Sequence, residues 1–158
     1  MRGDFVLFYG STNDVFEKLI MDFTHGPFCH TEIDMGDGTF LGEHGNGLTR
    51  YKPDPNRYKM FVAPKGELAK GLSWAEVQWA EAVKDHRTHE YSWKDIIMDA
   101  AKFIGWHVVL KQPVGEWDCS DFVTRYLLAA NAAGPLGELA KDPSTVSPND
   151  LGRAFHVS

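Results

Sequence analysis

The chain has 158 residues, 43% hydrophobic and 24% charged, which fits a single domain spanning 1–158 with its own core and excludes a disordered chain. Sixteen Lys and Arg against twenty-two Asp and Glu leave a formal net charge of −6, and the cations form no basic stripe, so no nucleic-acid partner is expected. Two cysteines are too few for a disulfide framework, and the apolar runs stop at about five residues, too short for a transmembrane segment or a signal peptide.

Phe5 to Tyr9 is a short apolar run stopped by Gly10, and it predicts a buried strand. Ser11 to Asp14 offers a helix cap. Val15, Phe16, Leu19, Ile20 and Phe23 follow at helical spacing, up to the stop at Gly26-Pro27. Phe28 to Met35 alternates, with Phe28, His30, Glu32 and Asp34 on one side and Cys29, Thr31, Ile33 and Met35 on the other. Gly36-Asp37-Gly38 is a hairpin turn, from which Thr39 to Glu43 returns as the partner strand. Short strands over Leu48 to Tyr51 and Arg57 to Val62 flank a loop marked by Pro53 and Pro55.

Gly71 marks the approach to a second helix, which Ser73 caps and which runs to Asp85. His86 to His89 reads as a polar linker and Lys94 to Phe103 as a third helix, while Val108-Val109-Leu110 fits strand or helix. Asp118 caps an apolar helix that starts at Cys119, runs to Ala133 and is closed by Gly134-Pro135. Ser147 to Leu151 begins a short helix with Pro148 at its first position, and Ala154 to Val157 reads as a last strand. Strands followed by helices indicate an α+β fold, with helices packed on one antiparallel sheet.

Cys119 falls in the first turn of its helix, where unpaired N–H groups and the positive dipole end favour a thiolate. A lone cysteine in a helix is more often a small buried residue. A thiol hydrolase also needs an imidazole to take the thiol proton and a polar group to hold that imidazole. His30 lies on one arm of the predicted hairpin, with Glu43 and His44 on the other, so His30 is the candidate base and Glu43 or His44 the candidate orienter. Neighbouring strand residues face opposite sides, so only one of these two can point at His30. Tyr9 and Trp117 are candidates to touch substrate. A Cys29–Cys119 bridge is the alternative that would remove the nucleophile. His25, Cys29 and His30 are close in sequence, but no second ligand pair sits at a finger-like distance, so no metal or other cofactor is expected.

Trp117-Asp118-Cys119-Ser120-Asp121-Phe122-Val123 resembles the Asp-Cys-Ser-x-Phe/Leu-Val block of Cys-His hydrolases of the NlpC-type papain-like superfamily. Here the histidine precedes the cysteine. That is the order of the circularly permuted branch, which includes YiiX/YaeF-type bacterial proteins and lecithin retinol acyltransferase-like enzymes. Gly3-Asp4-Phe5-Val6-Leu7 is similar to the branch's "GD-hydrophobic" opening strand, and Phe28-Cys29-His30-Thr31-Glu32-Ile33 to its "SHxxI" strand, with Cys29 where Ser is usual. Phe40-Leu41-Gly42-Glu43 resembles "viEa", Tyr91-Ser92-Trp93 "pYd", and Ser147-Pro148-Asn149-Asp150-Leu151 "tPxdL". The motifs run in order along nearly the whole chain, although residues 51–90 hold no block of the family.

The resemblance implies a permuted papain-like sheet or half-barrel packed on helices. It implies a cysteine peptidase or amidase in which Cys119 forms an acyl-enzyme and His30 serves as base. It favours Glu43 as the third group, since "LGEH" resembles "viEa", whereas the acyltransferase-type members carry a His. Substrates would be peptides (those of cell walls included), isopeptides or acyl esters. An acyltransferase of the same fold and an inactive binding or structural module, for example of a phage, are the alternatives. The expected location is cytoplasmic or phage-associated.

Overall fold

The computed structural model describes residues 1–44, 47–85 and 119–157. The expected third helix, the 108–110 segment, the Tyr91-Ser92-Trp93 stretch, Trp117 and the Asp118 cap lie outside the described residues.

Five strands form one antiparallel sheet: β1 (Phe5–Tyr9), β2 (Phe28–Asp34), β3 (Phe40–Glu43), β4 (Leu48–Tyr51) and β5 (Lys59–Val62), in the order β4-β3-β2-β1-β5. The helices are α1 (Val15–Thr24), α2 (Leu68–Lys84), α3 (Cys119–Ala129) and α4 (Pro148–Ala154), with 3₁₀ turns at Gly134–Lys141 and Pro143–Thr145. The α+β class read from the sequence is the class observed. Among the described residues no helix is long and apolar enough to cross a membrane.

Cross-strand partners share a face of the sheet, so the register assigns the faces. Phe5 pairs with Ile33 and Val62, and Ile33 with Leu41. These side chains join Phe122, Val123, Tyr126 and Leu127 of α3 in the main core. Val6 pairs with Glu32 and Phe8 with His30, and Val6, Phe8 and Phe40 form a separate cluster on the other face.

The simple alternation expected over Phe28 to Met35 is broken once. Phe8 pairs with His30 but Tyr9 pairs with Phe28, so Cys29 is an extra residue, a β-bulge. The bulge turns Phe28 into the main core alongside Ile33, away from the face that carries His30 and Glu32.

Local chemistry explains three further departures. The second helix starts at Leu68 rather than at Ser73, and Gly71 lies inside it. A Cβ on Gly71 would stand 2.7 Å from the Tyr126 ring and 2.8 Å from Ala130, so this glycine lets α2 approach α3 closely. Helix α3 stops at Ala129, short of Ala133. Asn131 takes a left-handed φ of 53°, and the Ala132 N–H donates to Leu127 O at 2.8 Å, a C-terminal closure that ends the helix early. Ala154 to Val157 is not a strand. His156 takes φ 57° and the Val157 N–H donates to Gly152 O at 2.8 Å, so the same closure ends α4.

Two caps are as the sequence implies. Asp14 Oδ1 accepts from the Glu17 N–H at 3.0 Å at the start of α1. Ser147 and Asp150 form a reciprocal capping box on α4. Asn149, in the first turn of α4, accepts from the Phe28 N–H at 2.9 Å and donates to Phe28 O at 2.7 Å. This side chain therefore pins the start of β2, two residues before His30.

Candidate functional site

Carrying the β2–β3 register past Ile33–Leu41 sets Glu32 opposite Gly42 and His30 opposite His44. The side chains agree with this placement. The His30 and His44 rings lie 4.7 Å apart, the His44 and Tyr51 rings 5.3 Å, and the Phe8 and His30 rings 5.7 Å.

Glu32 is the centre of the group and is 0% exposed. His30 Nε2 lies 2.9 Å and His44 Nε2 2.6 Å from its Oε1. The Tyr51 hydroxyl donates to both carboxylate oxygens, at 2.9 and 3.0 Å. A Cβ on Gly42 would fall 2.6 Å from Glu32 Cγ, so only a glycine opposite leaves room for this carboxylate.

Protonation follows from these contacts. Burial alone would push the Glu32 carboxyl up, but the hydrogen bonds from His30 and His44 outweigh it and hold the group down at about 2. Burial lowers His30 below its ordinary value against the opposing pull of Glu32. The pair at neutral pH is therefore an ionised carboxylate and a neutral imidazole. The carboxylate fixes the ring proton on Nε2 and leaves Nδ1 as the basic nitrogen.

The structure thus brings together His30 and His44, two of the histidines singled out from sequence, and adds Glu32 and Tyr51. Glu43 does not share this face. It pairs with Leu48, a main-core residue, and is itself buried. Of the two candidates for the third group, His44 is the one beside His30, and the carboxylate that meets His30 is Glu32. The signal for Glu32 was present in the i, i+2 spacing of His30 and Glu32 and in the glycine at 42.

Cys119 is the first described residue of α3 and is half-buried. Phe122, Val123, Tyr126 and Leu127 bury the helix on the main-core face, and the Tyr126 hydroxyl donates to Gly3 O at 2.6 Å. The register places the His30 ring on the opposite face of β2. Trp117 lies outside the described residues. Tyr9 is half-buried, with its ring 4.9 Å from Phe28.

Cys29 and Cys119 are not bridged to one another. Cys29 is a buried thiol whose Sγ donates to Phe8 O at 3.7 Å, with the Arg57 guanidinium 3.6 Å away. Burial, reinforced by Glu17, pushes it up to about 12, so it stays protonated and is no nucleophile. The three side chains weighed for zinc do not gather as a set. His30 groups with Glu32 and His44, while His25 is exposed in the turn after α1.

Comparison of the chain with protein-family models, with curated proteins and with solved structures finds no match.

Proposed function

We propose that this chain is a thiol hydrolase of the permuted papain-like type, cleaving an amide or ester through an acyl-enzyme on Cys119. The observation that carries the reading is the place of Cys119 at the first described residue of α3, a helix anchored by its buried apolar side. Near a helix N-terminus the dipole favours a thiolate, and backbone N–H groups there can serve a developing oxyanion.

His30 is the general base in this reading, and Glu32, rather than Glu43, is its orienter. The Glu32 carboxylate takes Nε2–H, leaving Nδ1 to receive the thiol proton and later to deliver it to the leaving group. Because the ring lies on the face of β2 opposite the buried side of α3, the thiol has to meet it from the end of the helix.

The test is hydrolysis of activated esters and peptide amides by the purified chain and by Cys119→Ala. Expected is a covalent acyl adduct on Cys119 by mass spectrometry and loss of turnover in the variant. His30→Ala should lower the rate by roughly 10²- to 10⁴-fold, the usual worth of a general base. Undiminished turnover in Cys119→Ala overturns the reading.

A further inference from the structure

Two imidazoles and a fully buried carboxylate converge on one point, in a place where an apolar sheet face would have served the core as well. The ligating atoms of His30, Glu32 and His44 all lie within 4.8 Å of one another, and among the described residues this is the one grouping of three such side chains. They stand on a rigid frame. His30 and Glu32 share one strand two residues apart, and His44 follows directly after β3, so the hairpin fixes their spacing. The Tyr51 hydroxyl on Glu32 supplies the outer contact that orients a ligating carboxylate.

We propose that His30 Nε2, His44 Nε2 and Glu32 Oε1 form a binding site for a divalent transition ion of the Zn²⁺ class. Nitrogen and carboxylate donors in a two-to-one ratio suit Zn²⁺ better than the hard cations, which prefer all-oxygen shells. Three protein ligands leave a fourth position for water. Zn–N and Zn–O bonds of about 2.0–2.2 Å need donor atoms roughly 3.3 Å apart. The contacts of 2.6 and 2.9 Å onto Glu32 Oε1 therefore open by roughly 0.4–0.7 Å, and the donors, which lie within 4.8 Å of one another, draw together around the ion.

Metal binding stands on this geometry alone and does not depend on Cys119. One consequence rests on the thiol-hydrolase reading. An ion on Nε2 moves the ring proton to Nδ1, so His30 can no longer accept a proton from the thiol. Zn²⁺ then switches the hydrolase off.

The experiment is titration of the chelator-stripped full chain with Zn²⁺ against a chromophoric chelator, together with the visible spectrum after Co²⁺ loading. Expected is one ion per chain, with the intense visible bands of low-coordinate Co²⁺. Binding should weaken at least 100-fold in His44→Ala and in Glu32→Gln, and Cys119→Ala should bind as the parent does. Melting curves of the variants without metal separate loss of ligands from loss of fold. The Co²⁺ spectrum of the unaltered chain tests the site even if a variant fails to fold. Absence of stoichiometric binding, a six-coordinate Co²⁺ spectrum, or folded His44→Ala and Glu32→Gln variants that bind as tightly as the parent each overturn the proposal. Failure here leaves the acyl adduct on Cys119 untouched, and loss of that adduct leaves the metal titration untouched.

Discussion

The two faces of the sheet are built from the same strands and hold opposite chemistry. The face under α3 carries Phe5, Leu7, Ile33 and Leu41 and closes on Phe122, Val123 and Tyr126, an apolar core of the ordinary kind. The other carries Val6, Phe8 and Phe40 beside Glu32, His30, His44 and Tyr51, so a charged carboxylate is buried there at the cost of its hydration. Core packing explains the first face and does not explain the second. A buried carboxylate is tolerated when it is fully hydrogen-bonded, and is retained where its charge does something.

The contrast can be broken from either side. Phe122→Ala on the α3 face removes a 0%-exposed ring. It should cost about 3–5 kcal/mol in denaturant unfolding, as buried aromatic truncations do. A cost under about 1 kcal/mol would mean that the α3 face is not the main core.

On the polar face, Glu32→Gln keeps the shape but not the charge. It should cost about 1–3 kcal/mol at neutral pH, since the imidazoles lose their ionised partner. Its pH signature is sharper. The folded-state pKa of Glu32, about 2, lies below its ordinary 4.5, so its stabilisation is complete above about pH 4.5 and is lost as pH falls toward 2. His30 is lowered from 6.5, so the unfolded chain gains a proton first and stability also declines as pH falls below 6.5. Unfolding of the chelator-treated chain should show both declines, and Glu32→Gln should remove the lower one. An unchanged acid limb in that variant would mean that Glu32 is not the group responsible.

Gly42→Ala is the gentlest probe. The new methyl falls 2.6 Å from Glu32 Cγ and displaces the carboxylate without touching the α3 face. A loss of about 1 kcal/mol is expected, with a shift of the His30 and His44 imidazole resonances. Unmoved imidazole signals would show that Gly42 does not set the position of Glu32.

This contrast also accounts for what the sequence showed. Strands and hairpin were legible from the apolar runs, the alternation and Gly36-Asp37-Gly38, because local periodicity decides them. The start of α2 was missed because Gly71 reads as a breaker, whereas here it is a contact surface for Tyr126, a long-range fact. The end of α3 was missed because Asn131 rather than a glycine takes the left-handed turn. For the site, His30 and His44 were visible, but the preference for Glu43 followed a motif. Facing is set by register, and the register puts Glu32 rather than Glu43 on the face of His30.

The central claim is that His30 activates Cys119, and the most direct test is the pH profile of iodoacetamide alkylation at Cys119, read by peptide mass in the parent and in His30→Ala. Cys29, buried and held protonated up to about 12, serves as the internal check that the chain is folded. The account predicts a Cys119 thiolate well below the ordinary thiol value of about 8.5, and a profile that moves up toward that value in His30→Ala. Superimposable profiles with an ordinary thiol midpoint in both proteins would contradict it.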